Sequence, residues 1–242
     1  MNWMIARRPP CHAVILLAAL IFYANPVAAF PPYKTTDADT ADPDTLELRL
    51  GLIQAERASS DTEYLSPLLR ANIGLPDKIE LVTELEYNSV KNEFADGALG
   101  FKWIPVFGDV SYGIETLALL PLRPNDSGVG IESQFLATWR KPDYRVHVNA
   151  GGFHDPRTVD TENGWRASIL TEMTSSAYRP GIELFAKQKS RQDTDIRLGA
   201  GFIKDVGGFE IRSAVHFGLT SEAPDIVFNF WISTKLPPGI SN

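Results

Sequence analysis

Eighteen charged residues stand at alternate positions within short apolar runs, and their types suggest what the chain can host. Glu47, Glu80, Glu84, Glu86, Glu115, Glu132, Glu172, Glu183 and Glu210 are matched in number by Arg49, Arg70, Lys102, Arg145, Arg166, Lys187, Arg197, Arg212 and Lys235. Equal numbers of each sign suit ion pairing inside a wet or semi-wet lumen, because an unpaired charge away from bulk water is costly. Two uses follow. The charges brace a wall as a structural network, or they line a permeation path and tune its selectivity. Bracing carries the greater weight for any single residue, and both uses hold for the set. Glu80, Glu84 and Glu86 lie on one segment and form the densest acidic strip.

Other chemistries find less support. His147, His154 and His216 sit on separate elements with no metal-ligand spacing, so the sequence suggests no metal, no cofactor and no catalytic set. A barrel enzyme acting on lipid needs Ser and His together on the face that meets lipid. Ser133 and Ser213 fall on the apolar parity, whereas His147 and His216 fall on the charged one. His154 and Asp155 lie in an expected loop, where a solvated pair is the simpler reading. Gly51, Gly74, Gly113, Gly130, Gly199 and Gly201 mostly share the charged parity. Backbone bending or pore space explains them better than a phosphate-cradling loop.

The elements that position these residues show a period of two, the strand signature, because successive side chains point to opposite faces. Leu46, Leu48, Leu50 and Leu52 oppose Glu47 and Arg49, and eleven further segments repeat the pattern as far as Ile226, Phe228, Phe230 and Ile232. No segment reads as a helix. The turns alternate. Short ones fall at Pro76 to Lys78, Val106 to Asp109, Lys141 to Asp143, Ser175 to Ala177 and Lys204 to Gly208. Longer ones fall at Glu56 to Glu63, Asn88 to Asp96, Arg123 to Gly128, His154 to Gly164, Gln188 to Asp195 and Ser221 to Asp225. Alternating short and long connections mark an up-and-down antiparallel transmembrane β-barrel of about 12 strands, all-β. The apolar face is expected outward, since a twelve-strand ring is too wide for an all-apolar interior to fill. Trp103, Tyr112, Trp139 and Tyr144 at the short turns, with Tyr87, Phe153 and Trp165 near the long loops, suggest two aromatic girdles.

The N-terminus reads as an address. Arg7 and Arg8 precede an uncharged apolar stretch from Ala13 to Ala24, and Val27-Ala28-Ala29 places small residues before a cleavage point. That is a secretory signal cut after Ala29. The expected division is a signal peptide over 1–29, a periplasmic lead over 30–45, a barrel over 46–236 and a C-terminal tail over 237–242. Cleavage removes Cys11, the chain's one cysteine, which rules out a disulfide framework. A net charge of −7 argues against nucleic acid as a partner. Aromatic and charged fractions of 10% and 22% rule out a disordered chain.

Four segments also resemble a known family when taken together. They are Thr35-Thr36-Asp37-Ala38-Asp39-Thr40, Leu46-Glu47-Leu48-Arg49-Leu50-Gly51-Leu52, Asn72-Ile73-Gly74-Leu75-Pro76-Asp77-Lys78-Ile79-Glu80-Leu81 and Phe217-Gly218-Leu219-Thr220-Ser221-Glu222-Ala223-Pro224-Asp225. The chain resembles the proteobacterial outer-membrane proteins grouped as the MetA-pathway of phenol degradation family, described as transporter-like. The resemblance runs from Thr35 to about Lys235 and implies a link to uptake of aromatic compounds, without supplying site residues. One departure is that the chain runs past its last strand to Asn242, so Phe230 or Trp231 would have to supply the aromatic assembly signal internally. The expected function is an outer-membrane channel or transporter, not an enzyme. It would pass small solutes passively, aromatic or apolar ones among them, in a Gram-negative bacterium. Its expected partners are the lipid bilayer and a small-molecule solute, with no nucleic acid. The alternatives are a barrel enzyme acting on lipid and a non-conducting structural barrel.

Overall fold

A strand with one apolar and one charged face leaves open backbone groups along both edges, and a closed ring removes those edges altogether. The computed structural model describes residues 32–56, 62–123, 126–157, 161–174 and 177–236. The expected signal peptide with its cleavage point at Ala29 and the expected tail 237–242 lie outside the described residues. The strands are β1 (Leu46–Glu56), β2 (Thr62–Leu75), β3 (Ile79–Asn88), β4 (Glu93–Val106), β5 (Val110–Leu119) and β6 (Gly130–Arg140). They continue as β7 (Tyr144–Asp155), β8 (Glu162–Met173), β9 (Tyr178–Lys189), β10 (Asp195–Val206), β11 (Phe209–Gly218) and β12 (Ile226–Leu236). Each pairs antiparallel with its sequence neighbours, and β1 pairs with β12 from Leu46 opposite Leu236 to Glu56 opposite Ile226. Among the described residues this makes a closed, up-and-down, twelve-strand barrel.

The short connections are tight for local reasons. Gly207 and Gly208 join β10 to β11 with φ of 53° and 90°, the two positive values that a two-residue hairpin needs to match strand twist. Pro76 opens a 3-10 turn between β2 and β3, where Asp77 takes φ 60°. Three expected loops prove shorter than the sequence pattern suggests. Pairing in β3–β4 reaches Asn88 opposite Glu93, β7 pairs with β8 as far as Asp155 opposite Glu162, and β9 extends to Lys189. His154 therefore belongs to β7 rather than to a loop, with its Nδ1 2.6 Å from Asn163. Above the bilayer both faces of a strand meet water, so pairing continues after the apolar alternation has stopped.

The apolar parity faces out around the whole ring. Leu50, Leu99, Phe135, Ile169, Ile182, Leu184 and Leu198 are exposed, up to 62% at Ile182. A continuous apolar belt of this kind far exceeds the patches tolerated in water, and it is satisfied by acyl chains. The belt crosses a membrane by strands; no helix among the described residues is long and apolar enough to do so. Exposed Trp103, Tyr112, Trp139, Tyr144 and Tyr178 ring the short-turn end, where amphipathic rings suit the headgroup level. At the other end Trp165 is exposed, and Tyr87 packs edge-on against exposed Phe94. Phe153 departs from the expected girdle. It stands on the same inward parity as Asn149, is 9% exposed, and carries the Lys187 ammonium 4.7 Å from its ring centroid.

The interior differs from the purely charged face suggested by periodicity. Leu68, Val82, Ile104, Leu136, Leu170 and Ile203 all point inward and are buried. What covers several of them is the lead. Residues 32–45 reverse at the short-turn end and run back inside the ring, instead of standing ahead of it.

The outward belt makes a direct prediction. Leu184 lies mid-strand opposite Ile169 and Leu198, so Leu184→Arg should destabilise the membrane-inserted barrel by about 2–4 kcal/mol. Urea unfolding in lipid vesicles measures this, and an unchanged midpoint would contradict the lipid-facing assignment.

Candidate functional site, a filled lumen and the chamber above it

Twelve strands enclose more room than their own side chains fill, and the lead occupies the surplus. The turn into the lumen is fixed by backbone bonds. Asp44 N–H donates to Gly74 O, Thr45 N–H to Asp42 O, and Gly74 N–H to Thr45 O, each at 3.0 Å. Gly74 permits this approach: a Cβ at that position would stand 2.0 Å from Asp42 O. From there the segment climbs to mid-barrel, and its residues from Tyr33 to Ala38, apart from Lys34, are buried.

Strand side chains receive the lead's backbone one group at a time. Ala41 N–H donates to Glu80 at 2.6 Å, Ala38 N–H to the Thr138 hydroxyl at 2.7 Å, and Thr35 N–H to Glu183 at 2.6 Å. Arg166 donates to Lys34 O at 3.1 Å, and the Tyr33 hydroxyl donates to Gly181 O at 2.9 Å. Apolar contacts join them. Ala38 packs with Ile104 and Leu136, and Tyr33 with Leu170 and Ala214. An extended segment carries an unsatisfied donor and acceptor at each residue, so a lumen of hydrogen-bonding side chains is what lets it be buried.

Charge fixes the lead further. The fully buried Lys102 ammonium lies 3.6 Å from Asp37 and 3.8 Å from Glu80, and it donates to Asp39 O at 3.0 Å and Thr36 Oγ1 at 3.4 Å. Arg140 pairs with Asp39, and Lys235 lies 3.7 Å from Asp42. Neither Asp37 nor Arg140 was among the residues singled out from the sequence. The lead has no periodicity to mark Asp37 as buried, and Arg140 stands at a strand end beside a turn.

The eighteen charges named from the sequence all lie on the inward parity, but they do different things. Glu80, Lys102 and Glu183 hold the lead. Arg49 pairs with Glu47 at 2.9 Å, Arg212 reaches Glu47 and Glu210, and Arg70 bridges Glu84 and Glu115. Arg166 pairs with Glu132, Arg145 lies 3.7 Å from Glu172, and Arg197 pairs with Asp195 along its own strand. Arg179, which the sequence pattern left out because Pro180 interrupts the local alternation, also pairs with Glu210. The acidic strip is thereby divided. Glu80 belongs to the lead's anchor, Glu84 to Arg70, and Glu86 has no ion pair among the described residues. Toward the long loops, Arg157 binds Asp96 and lies 2.7 Å from Asp155, whose hydrogen bonds raise the guanidinium still further above its ordinary pKa.

Two histidines complete the lining. His216 Nε2 is 2.6 Å from Glu183 and its ring meets Tyr33 edge-on at 6.2 Å. Thr138 Oγ1, His147 Nδ1 and Glu172 align at 2.9 and 3.4 Å, in the order of a hydrolytic relay. Thr138 is fully buried and already accepts from Ala38, so this set braces the lead. Ser133 faces out and shares a hydrogen bond with Thr116 at 2.9 Å; no serine pairs with a histidine among the described residues.

Above the lead, from mid-barrel to the long-loop end, the lumen opens into a chamber of about 380 Å³. Lys34 forms part of its floor. Leu68, Ala98, Leu117 and Leu119 make an apolar wall, and Glu84, Glu86, Arg166, Lys187 and Arg197 add charge. This size falls within the range of small-molecule sites.

Removing the central cation tests the anchor. In Lys102→Met, Asp37 and Glu80 are left facing each other, and breaking a buried pair this way costs about 3–5 kcal/mol. Hydrogen exchange at the amides of Thr35, Ala38 and Ala41 should accelerate by about two to three orders of magnitude while strand amides hold their rates. Wild-type exchange at those amides would show that the ammonium does not hold the lead.

No family model matches the chain, and no curated protein matches it. Similarity to solved structures is at the level of chain path. A porin refined at 1.8 Å resolution shares 9% identity over 79% of this chain and 99% of its own, with a TM-score of 0.44. OmpT, an outer membrane protein of Vibrio cholerae, shares 8% identity over 84% and 99%, with a TM-score of 0.38. CdiB from Acinetobacter baumannii shares 8% over 79% and 60%, at 0.34.

Proposed function

We propose that this barrel stands in the outer membrane of a Gram-negative bacterium and passes small solutes through a lumen that its own N-terminal lead closes. One observation carries the reading. The lumen is blocked by a single peptide segment held by hydrogen bonds and ion pairs, and an accessible chamber continues above it. A barrel with a purely structural role has no need of a chamber, and a wall filled by its own side chains has no need of a lead. The lead is held mainly by polar groups that water can replace, with two small apolar contacts at Ala38 and Tyr33. Its departure therefore exchanges most of its contacts for solvated ones and leaves the apolar belt and strand ladder intact.

Partners follow from the two faces: lipid acyl chains outside and a small solute inside. The apolar wall at Leu68, Ala98 and Leu117 supports solutes with an apolar part, and the aromatic association rests on the family resemblance alone. We propose kinship with that family on the same segments.

Liposome swelling with a pentose sugar tests the channel. Vesicles carrying the mature barrel should swell slowly, and vesicles carrying a variant lacking residues 30–41 at least tenfold faster. In that open background, Glu84→Lys with Glu86→Lys should move the reversal potential toward anion preference in planar bilayers. Equal impermeability with and without the lead would sink the channel reading. An unmoved reversal potential would remove the strip's role in selectivity.

A further inference from the structure

The charges lining the chamber are unevenly satisfied. Arg49, Arg70, Glu84, Glu115, Glu132, Arg166, Arg197 and Arg212 each have an ionic partner within 4 Å. Lys34, Glu86 and Lys187 have none among the described residues. Glu86 stands on β3 and Lys187 on β9, six strands apart in a ring of twelve, so they occupy opposite walls. Both are the third residue from the long-loop end of their strand, and both line the chamber. The neighbours sharpen the contrast. Glu84 and Glu115 share one cation, Arg70, on the acidic wall, whereas Arg166 and Arg197 flank the Phe185 ring at 5.9 and 5.7 Å on the basic wall. Groups of opposite charge facing each other across the lumen set up a transverse field when both are ionised, and such a field orients a dipolar solute.

We propose that the chamber binds an elongated zwitterion the size of a dipeptide, with its ammonium group toward Glu86, its carboxylate toward Lys187 and Lys34, and its apolar body along Leu68, Ala98 and Leu117. A solute charged at one end only leaves one wall unsatisfied. A single free amino acid separates its charges by too little to meet both walls at once. Lys34 supports the assignment from the floor. Burial and the nearby Arg197 lower its ammonium pKa by more than Glu86 and Glu183 raise it, so a bound carboxylate adds counter-charge at the floor. The inference deepens the channel reading but is tested apart from it. Binding without permeation would remove the channel and leave the chamber, and permeation without binding would do the reverse.

Titration calorimetry on the full mature barrel in detergent, with leucyl-leucine as probe, decides the matter. The unmodified dipeptide should bind at least tenfold more tightly than either its N-acetyl form or its C-terminal amide. In Glu86→Gln the N-acetyl form should bind as well as the free dipeptide, and in Lys187→Gln the amide should do so. Heat-modifiable migration on gels confirms that both variants fold. Absence of binding by the free dipeptide, blocked forms binding within twofold of it, or loss of discrimination at the wrong end would each overturn the proposal.

Discussion

A closed ring of twelve strands encloses more volume than inward side chains can fill, and the rest of the molecule answers that constraint. Eight strands already give an interior that side chains just occupy, so four more leave space for water or for protein. Here protein takes the lower half. The lead is extended, and every residue brings backbone groups that need partners. The wall supplies those partners through Glu80, Thr138, Glu183 and Arg166. The ring and its filling therefore depend on each other: the polar wall exists at a cost in buried charge, and the lead returns part of that cost as hydrogen bonds.

The interior charges divide by what they satisfy. Lys102 holds Asp37 and Glu80 at the base of the lead, while Arg70, Arg166 and Arg212 reach across the inside of the wall to strands two or three places away in the ring. Buried pairs of this kind add little net stability, but losing one partner strands the other, which makes them good fasteners for a single geometry. The few charges left over sit in the chamber, where a solute can reach them. Fastening and recognition thus come from the same residue types at different heights in one lumen.

Most of the wall was legible in the sequence because a half-apolar strand must alternate. Parity puts Leu50 and Arg49 on opposite faces, the width of a twelve-strand ring sends Leu50 outward, and the alternation of short and long turns points to an up-and-down barrel. The lead was not legible. Thr35, Thr36 and Asp37 look like solvated polar residues, and nothing in their order shows that strand side chains distant in sequence receive them. The inward apolar residues were masked for a related reason. Leu136 and Leu170 break the charged parity, and only the position of Ala38 and Tyr33 explains why. Phe153 was misplaced because its type suggested a girdle while its parity, shared with Asn149, pointed inward. Loop lengths were overestimated where strands rise out of the bilayer and alternation no longer carries information.

Tethering the lead gives the most direct measurement of the account. Ala38 packs against Leu136 inside the barrel, and Cys11 is the chain's one cysteine, so in protein made without residues 1–29 Ala38→Cys with Leu136→Cys introduces a single thiol pair. Bridging them with a short bifunctional maleimide fixes the lead to the wall. Planar-bilayer recordings should then show a silent bridged barrel, while each single-cysteine form opens in bursts. Identical currents from bridged and unbridged barrels would contradict the idea that this segment governs passage through the lumen.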